Sequence, residues 1–215
     1  MIRLFAHRGF AKNPSEENSI TSLNQAYEAG FRVVEFDIWF LKGKLVLKHN
    51  KPEANEIDNL PNLRDYFRFK NEIKYWIDFK NLDKNNAAKA LEIVKQDIAH
   101  GNIDLDNIYF APFIINHQKA EVVFEEIRKV FGQEAQLVAV CEELNSPQDI
   151  ENLYRFLTKN NIKYLSIFYK LIDHNLLQAL NGIELFAWTV NDEDVLHNLK
   201  TIGVKNFATD KIIPK

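Results

Sequence analysis

Eight short runs of apolar, β-favouring residues recur along this chain of 215, and between most of them lie longer segments whose apolar residues repeat at helical spacing. The runs are IRLFA from Ile2, RVVEFDI from Arg32, KYWIDF from Lys74, NIYFAPF from Asn107, QLVAV from Gln136, YLSIF from Tyr164, ELFAWTV from Glu184 and NFATD from Asn206. The helical pattern is carried by SLNQAYEAG from Ser22, NNAAKALEIVKQDIA from Asn85, KAEVVFEEIRKVFG from Lys119 and SPQDIENLYRFLTKN from Ser146. Ser146-Pro147 opens one of these helices, and Gly30 and Gly132 close others. Strands that alternate with helices lie parallel, because parallel neighbours need a crossover longer than a hairpin. Eight such units predict an α/β fold of the (β/α)8 TIM-barrel type; an open doubly wound sheet is the alternative, since periodicity counts strands without showing closure.

Two further features refine this. Only KIIPK follows the last strand's TD, so the last helix is expected to be truncated or missing. After the second run, WFLKGKLVLKHN (Trp39 to Asn50) predicts a hairpin extension turning at Lys42-Gly43. With 46 % apolar residues and no linker-like stretch, residues 1–215 are expected to form a single domain.

Charge and cysteine content narrow the function. A net charge of -3 and a pI near 6.1 argue against nucleic acid as a partner, which would need a basic face. The only cysteine, Cys141, permits no internal disulfide and no thiolate metal cage, and suits a cytoplasmic location and a buried core position. MIRLFAHRGF has no secretory-signal pattern, and no apolar run approaches the ~20 residues that span a bilayer, so no stable membrane insertion is expected. Oligomeric state is left open.

The chemistry-bearing residues cluster at strand ends. AHRGF follows directly on the first strand, placing His7 and Arg8 at its carboxyl end with Gly9 to turn the chain. In VVEFDI, Glu35 and Asp37 lie two apart and share a face, while Val34, Phe36 and Ile38 share the other. In KYWIDFK the same alternation groups Trp76, Asp78 and Lys80, and in KLVLKHN it groups Leu45, Leu47 and His49. Each has a structural reading of its own: a surface carboxylate, a hydrogen-bonded structural histidine, a solvated lysine. Their convergence at one barrel mouth favours chemistry instead, because carboxylates gathered in an apolar barrel need a cation or a raised pKa. His100, His117, His174 and His197 sit in or beside helices and are expected at the surface, whereas Glu142 and Glu143 follow the fifth strand and either reach the mouth or cap a helix.

AHRG from Ala6, EENS from Glu16, VEFDI from Val34, LVLKHN from Leu45, WIDFK from Trp76, FAWTVND from Phe186 and ATDK from Ala208 together resemble, in that order, the landmarks of the glycerophosphodiester phosphodiesterase family, within the phospholipase C-like phosphodiesterase superfamily. The resemblance implies a TIM barrel that hydrolyses a small-molecule glycerophosphodiester to glycerol 3-phosphate and an alcohol with a divalent cation, Mg²⁺ or Ca²⁺. It implies general acid and base roles for His7 and His49 and metal binding by Glu35, Asp37 and Asp78. Arg8 and Lys80 would steady the phosphate, Glu17 and Asn18 would brace the metal or substrate, and Trp188 would wall the pocket. Oxygen-only ligands suit Mg²⁺ or Ca²⁺ better than zinc, and a poor alkoxide leaving group needs a proton from one imidazole while the other accepts one.

The chain departs from that pattern in three places. Asn50 stands where an acid usually follows the second histidine, Asp78 where a glutamate is usual, and only residues 51–73 fill the place of a larger insertion, which predicts a more open mouth. Two other readings are a lipid-directed phosphodiesterase of phospholipase D or C kind that forms a cyclic phosphate, and a barrel that binds a phosphorylated ligand without turnover.

Overall fold

In the computed structural model, residues 2–113 and 117–214 are described, those at 117–119 by their backbone. The strands, in chain order, are β1 (Arg3–Ala6), β2 (Val33–Leu41), β3 (Lys44–Leu47), β4 (Lys74–Phe79), β5 (Ile108–Pro112), β6 (Gln136–Cys141), β7 (Tyr164–Phe168), β8 (Glu184–Trp188) and β9 (Asn206–Thr209). All but β3 pair in parallel and close on themselves, because Ala6 of β1 is in register with Val34 on one side and with Thr209 on the other. This is a (β/α)8 TIM barrel, and the eight expected runs are its eight staves. β3 folds back antiparallel on β2, the expected hairpin, with Lys42 and Gly43 at its turn, both at positive φ.

The helices are α1 (Ile20–Glu28), α2 (Leu63–Tyr66), α3 (Ala87–Gly101), α4 (His117–Phe131), α5 (Pro147–Lys159), α6 (His174–Ala179) and α7 (Glu193–Thr201). Their ends follow local chemistry. Ser19 caps α1 in a reciprocal box with Ser22, Ser146 caps α5 by accepting from the Asp149 N–H, and Gly30, at φ 92°, closes α1. After β9, Asp210 to Pro214 hold no helix; Thr209 Oγ1 accepts from the backbone N–H of Lys211 (3.1 Å) and Ile212 (3.0 Å), turning the chain as it leaves the strand.

Strand alternation sorts the side chains into two cores. Val34, Phe36 and Ile38 point outward to pack with Leu23 and Ala26 of α1 and Leu91 and Val94 of α3. Phe5, Val33, Trp76, Tyr109, Val138 and Phe186 point inward and plug the barrel with edge-on rings: Phe5–Trp76 and Tyr109–Phe186 centroids are both 5.5 Å apart. Each such pair contributes about 0.5–1.5 kcal/mol beyond its buried area. The plug gives the polar residues above it a rigid, dry floor.

Residues 51–73 do not cover the mouth. Leu47 N–H donates to Pro61 O at 2.9 Å, Leu63, Tyr66 and Phe67 are buried in the outer layer, and Ile57 is buried as well. Among the described residues no helix is long and apolar enough to cross a membrane.

Candidate active site

The HRG turn is held in a conformation that few residues adopt. Arg8 (φ 50°), Gly9 (φ 81°) and Phe10 (φ 60°) all lie at positive φ, where side chains are strained. The Arg8 N–H donates to Glu35 Oε2 at 2.9 Å, its guanidinium donates to Glu17 Oε2 at 3.0 Å, and its carbonyl accepts from the Asn18 N–H at 3.0 Å. At Gly9 a Cβ would lie 2.4 Å from Ser22 Oγ and 2.8 Å from the Tyr66 hydroxyl oxygen, so both φ and space demand glycine.

β2 and β4 bring the acids together. Asp37 and Asp78 are register partners, Glu35 lies two residues before Asp37, and one ligand oxygen from each of the three lies within 4.8 Å of the others. Asn18, itself buried at positive φ, clamps Asp37 by donating to Oδ2 at 2.9 Å and accepting from the Asp37 N–H at 2.8 Å. Lys80 Nζ bridges Asp37 (2.7 Å) and Asp78 (2.8 Å). Burial opposes ionisation of Asp37, yet Lys80 and Asn18 outweigh it and hold its pKa below the ordinary value. Glu35 has less relief: burial and then the Asp37 charge push it up to about 8, against His7 and the Arg8 N–H. Burial pushes Asp78 to about 6, against the pull of Lys80 and with the repulsion of Asp37.

Asp78 Oδ1 is buried without a hydrogen-bond partner among the described residues. Three carboxylates under mutual repulsion, one with an orphaned oxygen, fit a hard divalent cation and oxygen-only coordination. The missing methylene of Asp78 relative to glutamate does not keep it out of the trio.

The two histidines reach the mouth by different routes. His7 Nδ1 lies 2.7 Å from Asp210 Oδ1, whose other oxygen accepts from Asn191 Nδ2 at 2.9 Å. That bond fixes the ring and leaves Nε2 as the nitrogen that meets a ligand. Burial lowers the His7 pKa, but the Asp210 hydrogen bond and the charges of Glu35 and Asp210 outweigh it, leaving it above 6.5. His49 does not arrive by strand alternation, because β3 ends at Leu47 and the chain bends at residues 49–50. The bend is pinned by Trp39 Nε1, which donates to the carbonyls of Lys48 (3.0 Å) and His49 (3.3 Å), and by the Lys48 N–H, which donates to Asp37 O at 3.2 Å. Burial lowers the His49 pKa below its ordinary value, with Asp37 opposing and Arg8 adding. Asn50 is exposed beside it.

His7, Arg8, Glu35, Asp37, His49, Asp78 and Lys80 line one cavity of about 290 Å³, and Trp188 closes part of its far side. Glu17 and Asn18 do not line it; they hold Arg8 and Asp37 from behind. No residue of 51–73 lines it either, in keeping with an open mouth. Glu142 lines the cavity and Glu143 does not, while Cys141 is buried with its thiol pushed up to about 11, chiefly by burial. His100, His174 and His197 are exposed on helices, and the His117 side chain falls outside the described residues. Asp210 and Asn191 have no role in the reading of the sequence, although ATDK and FAWTVND contain them; the polar TD that ends the last strand is the signal that could have found Asp210.

Fold and mouth together define a class: a TIM barrel that sets two imidazoles, three carboxylates and two fixed cations around one cavity at the carboxyl ends of its strands, where an anionic ester fits. Residues 7–90 match the model of the Glycerophosphoryl diester phosphodiesterase family, so the resemblance is shown over the stretch that carries every expected site residue except Trp188. No curated protein matches the chain. Among solved structures, it is similar to a glycerophosphodiester phosphodiesterase from Parabacteroides distasonis (TM-score 0.74, 21 % identity, 97 % of this chain and 92 % of that one). An Oleispira antarctica phosphodiesterase in complex with the product sn-glycerol-3-phosphate superposes at a TM-score of 0.78 (16 % identity, 97 % and 92 %). A calcium-dependent phosphoinositol-specific phospholipase C from a Pseudomonas species superposes at 0.63 (10 % identity, 98 % and 88 %). At such identities the likeness carries the fold, and the chemistry must be argued from the residues.

Proposed function

We propose that this chain is a divalent-cation-dependent enzyme that hydrolyses glycerophosphodiesters to glycerol 3-phosphate and an alcohol. One observation carries the reading: both histidines and the acid trio line a single cavity, with ligand oxygens of the trio within 4.8 Å of one another. Glu35, Asp37 and Asp78 would hold Mg²⁺ or Ca²⁺, which when bound would supply positive charge against the phosphate and favour ionisation of the attacking water.

The chain's own groups supply the rest. Arg8, whose Nε is buried without a hydrogen-bond partner among the described residues, and Lys80 meet the non-bridging phosphate oxygens. Two imidazoles whose surroundings push their pKa values apart divide into acid and base. His49, the more readily neutral, takes the proton of the attacking water as its oxygen bonds to phosphorus. His7, held protonated by Asp210, gives a proton to the alcohol oxygen as its bond to phosphorus breaks. Glu17 and Asn18 keep Arg8 and Asp37 in place, and Trp188 walls the cavity.

The test is to incubate the protein with glycerophosphocholine and with a chromogenic bis-aryl phosphate, each with Mg²⁺, Ca²⁺ or chelator, and to identify the phosphorus products. Chelator-sensitive release of glycerol 3-phosphate is expected. A cyclic phosphate would replace this reading with a phospholipase C-like one. Binding without turnover, unaffected by His7→Ala, would replace it with a non-catalytic barrel.

A further inference from the structure

The cavity has a second wall that the proposed chemistry does not use: Phe113, Val140, Glu142, Ser166, Trp188 and Thr189. Val140 and Glu142 alternate onto the same face at the end of β6. The last β6–β7 pair is Cys141↔Ile167, so Glu142 stands one step further, level with Phe168, which is itself paired with Trp188. The Phe168 and Trp188 rings are 5.6 Å apart. A carboxylate therefore stands at the rim, on the same level as an aromatic wall.

Among the described residues Glu142 has no ion-pair partner. Lys80 is held by Asp37 and Asp78, with its ammonium also 4.9 Å from the Phe113 centroid, and Lys170 lies over the Phe168 and Tyr169 rings at 5.8 and 6.0 Å. This is a poor arrangement for a site that takes only anions. A carboxylate at the entrance with no ion-pair partner among the described residues repels a phosphodiester, and weakens binding unless the substrate brings its own positive charge. An alkylammonium group meets both features, since a carboxylate attracts its charge and the face of a tryptophan attracts it further through the ring quadrupole.

Building on the proposed function, we propose that Glu142, with the Trp188 ring, is a specificity-determining residue that selects zwitterionic diesters, those whose alcohol carries an ammonium group. The discriminating quantity is the ratio of kcat/KM for glycerophosphocholine to that for glycerophosphoglycerol, whose alcohol is neutral. Glu142→Gln should lower this ratio about three- to tenfold, mainly through KM for the choline ester, since the pair is rim-exposed. Glu142→Lys should lower it further, and raised salt should erode the ratio in the parent protein but not in either variant.

A ratio unchanged by Glu142→Gln, or equal gains for both esters, would overturn the proposal and reduce Glu142 to a general repulsive charge. If neither ester is turned over, the proposed hydrolysis fails separately, and calorimetric titration with the same two esters decides this inference. Equal affinities of parent and Glu142→Gln for glycerophosphocholine would then overturn it.

Discussion

The two halves of the barrel mouth are built differently. On the side of β1, β2 and β4, the charged groups are tied to one another: Arg8 to Glu17 and Glu35, Asp37 to Asn18 and Lys80, Lys80 to Asp78, and His7 through Asp210 to Asn191. On the side of β6, β7 and β8 the lining is Val140, Glu142, Ser166, Trp188 and Thr189, with a single charged group, and among the described residues Glu142 has no ion-pair partner and buried Trp188 Nε1 no hydrogen-bond partner. The first half is preorganised, so charge developing on a phosphate meets dipoles and ions that need not move. The second has no such network: its one carboxylate and its indole are not tied to the charged groups of the first, whose own orphaned atoms, Asp78 Oδ1 and Arg8 Nε, face the proposed cation and phosphate positions. Rate should therefore reside in the first half and substrate choice in the second.

The largest effect expected from this contrast is that of His7→Ala. Loss of the proposed general acid should lower kcat by about 10²–10⁴-fold with KM little changed. Trp188→Ala, by contrast, should raise KM while kcat holds within about tenfold, as expected for a wall that binds ground and transition states alike. Steady-state kinetics on one glycerophosphodiester reads both. Equal losses of kcat in the two variants would break the division.

Next in size is the response of the acid trio to a cation. Without one, Glu35 has its folded pKa raised from 4.5 to about 8, so its contribution to stability is present at low pH and is lost as pH rises through that value. The metal-free protein should lose stability between about pH 5 and pH 8, and saturating Mg²⁺ or Ca²⁺ should restore it, raising Tm by about 5–10 °C at the upper end and by less at the lower. Thermal unfolding with cation or chelator at each pH measures this. A cation shift that does not grow with pH would detach Glu35 from the site.

Asp210→Asn gives an intermediate effect. Asparagine keeps an acceptor for His7 but removes the charge that helps hold its pKa above 6.5, so His7 should lose its proton at lower pH. If, as proposed, a protonated His7 and a neutral His49 are both required, the alkaline limb of the kcat/KM profile should move to lower pH and the rate above it fall about tenfold, while the acid limb, assigned to His49, stays in place. Movement of the acid limb instead would reverse the acid and base assignments.

Much of this was legible in the sequence because it is periodic or local. Eight β-rich runs between helical segments pointed to the barrel, and the spacing of two between Glu35 and Asp37 put both inside it. What escaped depends on closure and on bends. Asp210 meets His7 across 203 residues, a contact that exists only because β9 pairs with β1: the TD at the strand's end marks a polar residue there but not its partner. His49 was expected at the mouth by strand alternation and gets there by a bend that the Trp39 indole pins. The left-handed conformation of Arg8 is likewise imposed by its tertiary hydrogen bonds, against its own propensity.

The smallest expected effect sharpens the contrast within the preorganised half itself. His7 has a carboxylate at hydrogen-bond distance, whereas His49 has only exposed Asn50 as its next neighbour in sequence, and none of the described residues hydrogen-bonds to its imidazole. Asn50→Asp would restore an acid beside His49. A new charge on an exposed side chain acts through water, so it should raise the His49 pKa only slightly, and salt should screen it. The acid limb of the profile should move up correspondingly at low salt and return at high salt, with the alkaline limb fixed. A large, salt-resistant shift would mean that the introduced carboxylate bonds directly to the imidazole, and that the bend after β3 has as much control over the proposed base as Asp210 has over the proposed acid.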